Sequence, residues 1–214
     1  MKKASFSFLN EIEKVGILPV ICPDDQYQLD VLIDAVRETD IKVLEITLRN
    51  EFSTDAIKYI KSKHPELTVG AGTVNTLAIL KNALSCNPDF LVSPGIARFA
   101  FEDPDARDVP FIHGVSTPSE IMTLINFGYD VMKYFPAECS GGVKALKLYA
   151  GSFKGVKFLP TGGITAENLA EYLSCPNVLG CGGSFMVPKV LLEAGDSEKI
   201  RDLIIKLCRK GEKQ

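Results

Sequence analysis

The sequence predicts an α/β fold with a parallel sheet, from three observations. Short apolar segments rich in β-branched residues alternate with helical patterns along the whole chain. The apolar segments are nearly continuous, which is typical of parallel strands buried on both faces. Eight such strand–helix units fit into the 214 residues. Eight units in a chain of this length indicate a single (β/α)8 TIM barrel.

The predicted strands are apolar runs, and the predicted helices have apolar residues three or four apart. The strands cover 16–22, 43–48, 68–73, 90–94, 109–115, 130–135, 156–160 and 178–182. The clearest helices cover 53–63, 76–86, 118–127, 142–150 and 166–173. A helical segment precedes the first strand, and a final amphipathic helix covers 197–209. The capping signals at helix starts are Ser53, Thr76, Thr117 and Thr165.

Two further features concern the fold and the domain organisation. The fourth unit is the weakest, because residues 96–103 leave little room for a helix. An open doubly wound sheet therefore stays as the alternative fold. The composition, 46% hydrophobic and 24% charged, suits one globular unit with a full core. No Gly/Ser-rich linker interrupts the sequence, so we expect a single domain over residues 1–214.

The composition argues against several classes of function. A net charge of −3 does not provide the basic face that nucleic acid requires. No apolar run approaches the roughly 20 residues of a membrane span, and Glu11 and Glu13 precede any signal-like apolar stretch. The six cysteines are scattered and there are two histidines, which does not match a zinc or redox pattern. We expect a cytoplasmic protein with no metal, cofactor, nucleic-acid partner or membrane partner.

Lys133 is the most informative residue in the sequence. It lies in the predicted sixth strand, with bulky apolar residues on both sides. Burial disfavours the charged ammonium, and the uncharged amine can attack a ketone to form an imine. The alternative is a lysine near a strand end whose ammonium reaches water. Glu138, a few residues later, is a candidate second acid, although we favour a loop or capping role for it.

The second strand carries three polar residues on one face. Glu45, Thr47 and Arg49 alternate along it, so their side chains point the same way. In a barrel of this type the solvated end is the carboxyl end of the strands, where active sites lie. The alternative is a structural ion pair between Glu45 and Arg49, but buried ion pairs stabilise little by themselves. The cluster therefore favours a function.

The third and fourth strands end in small residues and a turn. Residues 70–72 are Gly-Ala-Gly, which we expect to leave room for a ligand inside the barrel, and Thr73 adds a hydroxyl. The alternative for Thr73 is capping of the next helix. Pro94 and Gly95 follow the fourth strand, and the amide of Gly95 is a candidate for binding an anion, although Pro-Gly is also common in turns.

Paired glycines follow the last two predicted strands. Gly162 and Gly163 follow the seventh strand, and Gly182, Gly183 and Ser184 end the eighth. Either pair alone is explained by a turn that needs positive φ. Both pairs together stand where this fold commonly binds phosphate through backbone amides. We expect a phosphate site there.

These segments resemble one enzyme family over essentially the whole chain. The motifs are 43–49 (VLEITLR), 70–74 (GAGTV), 93–95 (SPG), 133–138 (KYFPAE), 141–146 (GGVKAL), 160–164 (PTGGI) and 182–184 (GGS). They are similar to the KHG/KDPG aldolases, which act on 2-keto-3-deoxy-6-phosphogluconate (KDPG) and 4-hydroxy-2-oxoglutarate (KHG). The resemblance implies a class I, metal-independent, cytoplasmic homotrimer of the Entner–Doudoroff pathway. Its products would be pyruvate with glyceraldehyde 3-phosphate or with glyoxylate.

The resemblance also implies a role for each motif residue. Lys133 matches the lysine that forms the imine (Schiff base) and Glu45 the residue that shuttles protons. The carboxylate of the substrate's pyruvyl part would meet Arg49 and Thr73, helped by Pro94 and Gly95. The residues that match the phosphate end are Gly162, Gly163 and Ser184.

The sequence departs from the common family pattern at three places. Phe185 replaces a frequent tryptophan, His113 replaces a usual proline, and an arginine found in some relatives near 19–21 is absent. These departures concern the aldehyde side of the substrate. Three other functions stay open from the residues: an aldolase for the galactonate epimer, a phosphate-binding isomerase with Glu45 as base, and a barrel that only binds.

Overall fold

The computed structural model describes residues 6–210, so residues 1–5 and 211–214 of the predicted domain lie outside the described residues. The described residues form ten α-helices and nine β-strands. The helices are α1 Ser7–Val15, α2 Gln26–Arg37, α3 Ser53–Lys63, α4 Leu77–Ser85, α5 Phe99–Glu102, α6 Pro118–Asn126, α7 Gly142–Ser152, α8 Leu169–Leu173, α9 Lys189–Glu193 and α10 Ser197–Lys210. The strands are β1 Ile17–Ile21, β2 Val43–Thr47, β3 Thr68–Gly72, β4 Phe90–Val92, β5 Phe111–Ile112, β6 Gly114–Val115, β7 Val131–Tyr134, β8 Lys157–Pro160 and β9 Cys181–Gly183. Short 3₁₀ turns lie at Pro104–Ala106 and Glu138–Ser140.

The strands pair in parallel, which confirms the predicted α/β class. One sheet has six strands in the order β5-β4-β3-β2-β1-β9, and the other has three in the order β6-β7-β8. Neighbours follow chain order, and the last strand pairs with the first. A doubly wound sheet reverses its strand order near the middle. That alternative is therefore wrong.

The predicted closed sheet of eight strands is found as two sheets. The predicted fifth strand is interrupted at His113, with Phe111–Ile112 in the larger sheet and Gly114–Val115 in the smaller. The predicted eighth strand is also shorter, because only Cys181–Gly183 is continuous. Two isolated bridges nevertheless join the sheets, Phe158 to Val178 and Thr161 to Gly182.

Helix α1 closes the amino-terminal side of the strands. Its Phe8, Leu9 and Ile12 pack into a cluster made by residues from five strands. The strand residues of this cluster are Leu18, Val43, Phe90, Val92, Ile112 and Leu159. Phe8 stacks on Phe90 with 4.5 Å between the ring centroids. Because apolar side chains fill this side, a ligand has access from the carboxyl ends of the strands.

The predicted capping signals are borne out at two of four positions. Thr76 caps α4, and Thr117 with Glu120 forms a capping box at α6. Ser53 is the first residue of α3 rather than its cap. Its amide donates a hydrogen bond to the Asn50 side-chain oxygen at 3.0 Å. Thr165 caps a turn before α8 rather than the helix itself, which begins at Leu169. The fourth unit has only the four-residue helix α5, as its sequence indicates.

Candidate active site

Lys133 and Glu45 meet at a buried position between β7 and β2. Lys133 Nζ lies 3.3 Å from Glu45 Oε1, and their side chains are 9% and 2% exposed. The alternative from the sequence, a lysine whose ammonium reaches open water, is therefore wrong. The partner of Glu45 is this amine rather than Arg49, so the structural ion pair considered from the sequence is not the one formed.

Strand β3 provides the room for Glu45. A Cβ on Gly72 would overlap the Glu45 carboxylate, and a Cβ on Gly70 would overlap the Phe90 ring. The prediction that these small residues leave space for a ligand is therefore wrong. The space is filled by Glu45 and Phe90, and Gly72 is needed because the carboxylate lies directly against it.

Arg49 and Thr73 form a second pair at the ends of β2 and β3. Arg49 Nε donates to Thr73 Oγ1 at 3.2 Å. Thr73 has a φ of 63°, a left-handed conformation that is uncommon for a β-branched residue and occurs at functional positions. The capping alternative for Thr73 is wrong, since Thr76 caps α4. Thr47 is buried and donates to the Ile21 carbonyl at 3.3 Å, which is a structural contact.

The turn at Pro94 and Gly95 is held against β6. The Ser93 hydroxyl and the Gly114 amide both donate to the Gly95 carbonyl, the latter at 3.1 Å. A Cβ on Gly114 would overlap the Pro94 carbonyl, so only glycine permits this close packing. A Cβ on Gly95 would meet no atom within 4 Å. The turn therefore borders open space.

The glycine turns after β8 and β9 lie side by side. Gly162 and Gly163 have φ values of 94° and 82°, as the sequence predicts for this turn. The bridge from Thr161 to Gly182 holds the two strand ends together. Ser184 follows directly and is exposed. The sequence-predicted residues thus form three groups: Lys133 with Glu45, Arg49 with Thr73, and the glycine turns with Ser184.

Phe135 and Tyr172 were not recognised as site residues from the sequence, and Glu138 was considered there only as a second acid or as a loop or capping residue. The ring of Phe135 lies 5.6 Å from Lys133 Nζ and would contact a Cβ on Gly162 at 3.2 Å. Its position two residues after Lys133, on the same strand face, was the available signal. Glu138 and Tyr172 are joined by a hydrogen bond beside Gly163. Their sequence separation gave no signal of this contact.

His113 is buried beneath the Pro94–Gly95 turn. Its Nδ1 lies 3.4 Å from the Ala97 amide, and its ring stacks on Phe111 with 4.2 Å between centroids. Burial lowers the pKa of His113 from 6.5 to about 3. The folded protein therefore keeps this imidazole neutral in mild acid.

His113 should make the protein sensitive to acid. Between pH 6.5 and 3 the unfolded chain binds a proton at His113 that the folded chain does not, so stability falls as the pH falls. We expect the free energy of unfolding of His113→Asn to fall less steeply, by up to about 1.4 kcal/mol per pH unit. Urea titrations across this range measure the slope, with His64→Asn as control. Equal slopes for wild type and His113→Asn would contradict the prediction.

Three general features of residues 6–210 bear on function. This part of the chain holds no group of three or more His, Cys, Asp or Glu placed to bind a metal ion. None of its helices has the length and apolar character needed to cross a membrane. All six cysteines are free thiols.

Comparisons with known proteins agree on one family. The family model described as KDPG and KHG aldolase matches residues 9–203. A protein of Pseudoalteromonas atlantica named 2-dehydro-3-deoxy-phosphogluconate aldolase is 41% identical over 187 residues, covering 87% of each chain.

Two crystal structures are also similar to this chain. KDPG aldolase from Legionella pneumophila, with pyruvate captured at low pH as a covalent carbinolamine intermediate, has a TM-score of 0.86 at 33% identity and covers 92% of this chain and 97% of its own. The 2-keto-3-deoxy-6-phosphogluconate aldolase of Zymomonas mobilis ZM4, with 3-phosphoglycerate, has a TM-score of 0.83 at 34% identity and covers 93% and 94%.

Proposed function

Because this chain belongs to the KDPG and KHG aldolase family, we propose that it is a class I aldolase acting through a lysine imine. Its substrate is KDPG, which it cleaves to pyruvate and glyceraldehyde 3-phosphate. The observation that carries the proposal is the buried contact of 3.3 Å between Lys133 Nζ and Glu45 Oε1. A nucleophilic amine and a carboxylate that can move protons are the two groups this chemistry requires.

The reaction begins at Lys133. Its amine, once it has given up a proton, attacks the C2 ketone of the substrate and forms a carbinolamine. Loss of water then gives a protonated imine, which can accept an electron pair. Because Lys133 is almost enclosed by protein, the imine nitrogen forms where little water competes.

Glu45 carries the protons. The carboxylate takes the proton of the C4 hydroxyl, directly or through a water, as the C3–C4 bond breaks. The electron pair of that bond forms the enamine, with the imine nitrogen as acceptor, and the aldehyde leaves. Protonation of C3 gives the pyruvate imine, and hydrolysis releases pyruvate and restores the amine. The close packing of Gly72 against Glu45 supports this role, since it fixes the carboxylate beside the amine.

The other two groups bind the ends of the substrate. A guanidinium presents a fork of donors that matches a planar carboxylate, and Arg49 with Thr73 and the Pro94–Gly95 turn takes the pyruvyl carboxylate. The turn of Gly162 and Gly163, with Ser184, takes the phosphate. Binding the remote phosphate positions the reacting carbon. The same site would cleave KHG, which has no phosphate, with weaker binding.

Trapping with borohydride tests the proposed function. Incubation with pyruvate and borohydride should reduce the imine and leave a stable adduct on Lys133, which peptide mass spectrometry locates. An adduct on this lysine, together with cleavage of KDPG, would support the class I mechanism. Folded protein that yields no adduct would overturn it and favour the isomerase with Glu45 as base.

We also infer that the two sheets belong to one eight-stranded barrel within a single domain. The bridges from Phe158 to Val178 and from Thr161 to Gly182 support this closure. So does the placement of β5 and β6 on either side of one residue, which makes them two parts of one strand.

A homotrimer is proposed as the assembly. Met122, in the middle of α6, and Phe127, directly after it, are 56% and 59% exposed, which suits an interface. Phe127 also borders an open cavity of about 880 Å³ at the starts of β5 and β7. Sedimentation velocity would distinguish a trimer from a monomer. The cytoplasmic location and the Entner–Doudoroff context stay predictions.

A further inference from the structure

Glu138 and Tyr172 form a pair that ties the loop after β7 to helix α8. The Tyr172 hydroxyl donates a hydrogen bond to Glu138 Oε1. Tyr172 is fully buried, and a buried hydroxyl needs a hydrogen-bond partner. Burial and this hydrogen bond raise the pKa of Tyr172. The hydroxyl therefore stays protonated and holds the carboxylate in one place.

The side chain that Tyr172 holds lies against the turn after β8. A Cβ on Gly163 would lie 2.5 Å from Glu138 Cγ, so the aliphatic part of Glu138 packs directly on the glycine. The Glu138 amide donates to the Gly162 carbonyl at 3.1 Å. The Asn168 side chain donates to the Gly163 carbonyl at 3.0 Å. The two glycines are therefore held by contacts with Glu138 and with Asn168.

The turn needs such support because of its composition. Gly162 and Gly163 are both at positive φ, and glycine loses more conformational freedom on ordering than other residues. A backbone site binds well only when its groups are already arranged for the ligand. Neighbouring side chains must therefore supply the order that two consecutive glycines lack.

We propose that Glu138 and Tyr172 are positioning residues that keep the Gly162–Gly163 turn in the shape that receives the substrate phosphate. This inference rests on the proposed function. The pair acts through packing and hydrogen bonding, since the negative charge of Glu138 would by itself repel a phosphate. Shape and charge can therefore be separated by substitution.

The test compares two substrates in four single variants, with one double variant and Ser184→Ala for comparison. Glu138→Ala removes the packing and the hydrogen-bond acceptor, whereas Glu138→Gln keeps both and removes only the charge. Tyr172→Phe removes the hydroxyl, and Tyr149→Phe is its matched control, because the Tyr149 hydroxyl donates to the Ser116 carbonyl. KDPG reports on the phosphate end, while KHG, which has no phosphate, reports on the rest of the site.

We expect Glu138→Ala to raise KM for KDPG by about tenfold, with kcat and the KM for KHG changed by less than about twofold. Tyr172→Phe should raise the same KM less, and adding it to Glu138→Ala should have little further effect. Glu138→Gln and Tyr149→Phe should leave it at or below the wild-type value. Ser184→Ala removes a proposed phosphate ligand, so its rise in KM for KDPG shows how large the effect of losing one such ligand is.

Three results would overturn the inference. They are an equal rise of KM for both substrates, no change in Glu138→Ala, and a Glu138→Gln variant as impaired as Glu138→Ala. Borohydride trapping with pyruvate separates this failure from failure of the proposed function, because pyruvate has no phosphate. If wild type forms the adduct and cleaves KDPG, only the positioning role is lost. If it does neither, both proposals fall.

Discussion

Lys133→Ala is expected to abolish both the borohydride-trapped pyruvate adduct and cleavage of KDPG. The amine is the group that forms the covalent intermediate, and within residues 6–210 it is the cation paired with Glu45, at 3.3 Å. Loss of a covalent nucleophile typically costs a factor of about 10⁴ or more in kcat. Steady-state assays with KDPG and mass spectrometry after trapping measure the two effects.

This variant also leaves the Glu45 carboxylate buried without its partner. Removing one member of a buried ion pair destabilises a protein by about 3–5 kcal/mol, so thermal unfolding must show that the variant is folded at the assay temperature. The double variant Lys133→Ala with Glu45→Gln relieves the unpaired charge and serves as a second form of the test. Lys157→Ala is a matched control, since that strand lysine bonds the Pro176 carbonyl instead. Turnover retained by a folded Lys133 variant would refute the imine mechanism.

Glu45→Gln is expected to lower kcat by about 10²–10⁴, the range for loss of a general acid–base group. The amide has nearly the shape of the carboxylate and fits the same space beside Gly72, so the site should stay assembled. The adduct with pyruvate should still form, but more slowly, because Lys133 remains while its proton acceptor is lost. Rapid-quench trapping and steady-state kinetics separate these two effects.

The control for Glu45 is Glu51→Gln, at an exposed position on the loop after β2. It changes the net charge of the protein equally but should leave kcat within about twofold, because exposed charges are well screened by solvent. A Glu45→Gln variant with wild-type kcat would assign the proton transfers to another group. A variant that formed no adduct at all would instead make Glu45 indispensable for formation of the imine.

Much of the fold follows from local patterns. Most predicted strands agree with the observed ones to within one or two residues, because nearly continuous apolar runs between turn residues have few other solutions. The exceptions are two strands whose ends depend on packing against other parts of the chain. The fifth strand is interrupted at His113, where the chain packs against the Pro94–Gly95 turn, and the eighth is continuous only over Cys181–Gly183.

The candidate site shows the same division. The sequence indicates Lys133, Glu45 and the glycine turns as site residues. A buried charge and two consecutive glycines both cost folding free energy, so their presence favours a function. The purpose of Gly72 was misjudged, since its missing side chain makes room for Glu45 rather than for a ligand. The Glu138–Tyr172 contact could not be predicted, because it joins residues 34 positions apart.

The class of fold, the order of the elements and the residue types that carry the chemistry follow from the amino-acid sequence alone. These depend on periodicity and on the cost of burying each side chain, which are local properties. Three features became visible only in the folded molecule: Glu45 pairs with Lys133, Thr73 has a left-handed backbone beside Arg49, and Glu138 packs on Gly163. The reason is that each of these depends on the distance between strands or loops far apart in the chain, and packing of the whole molecule sets that distance.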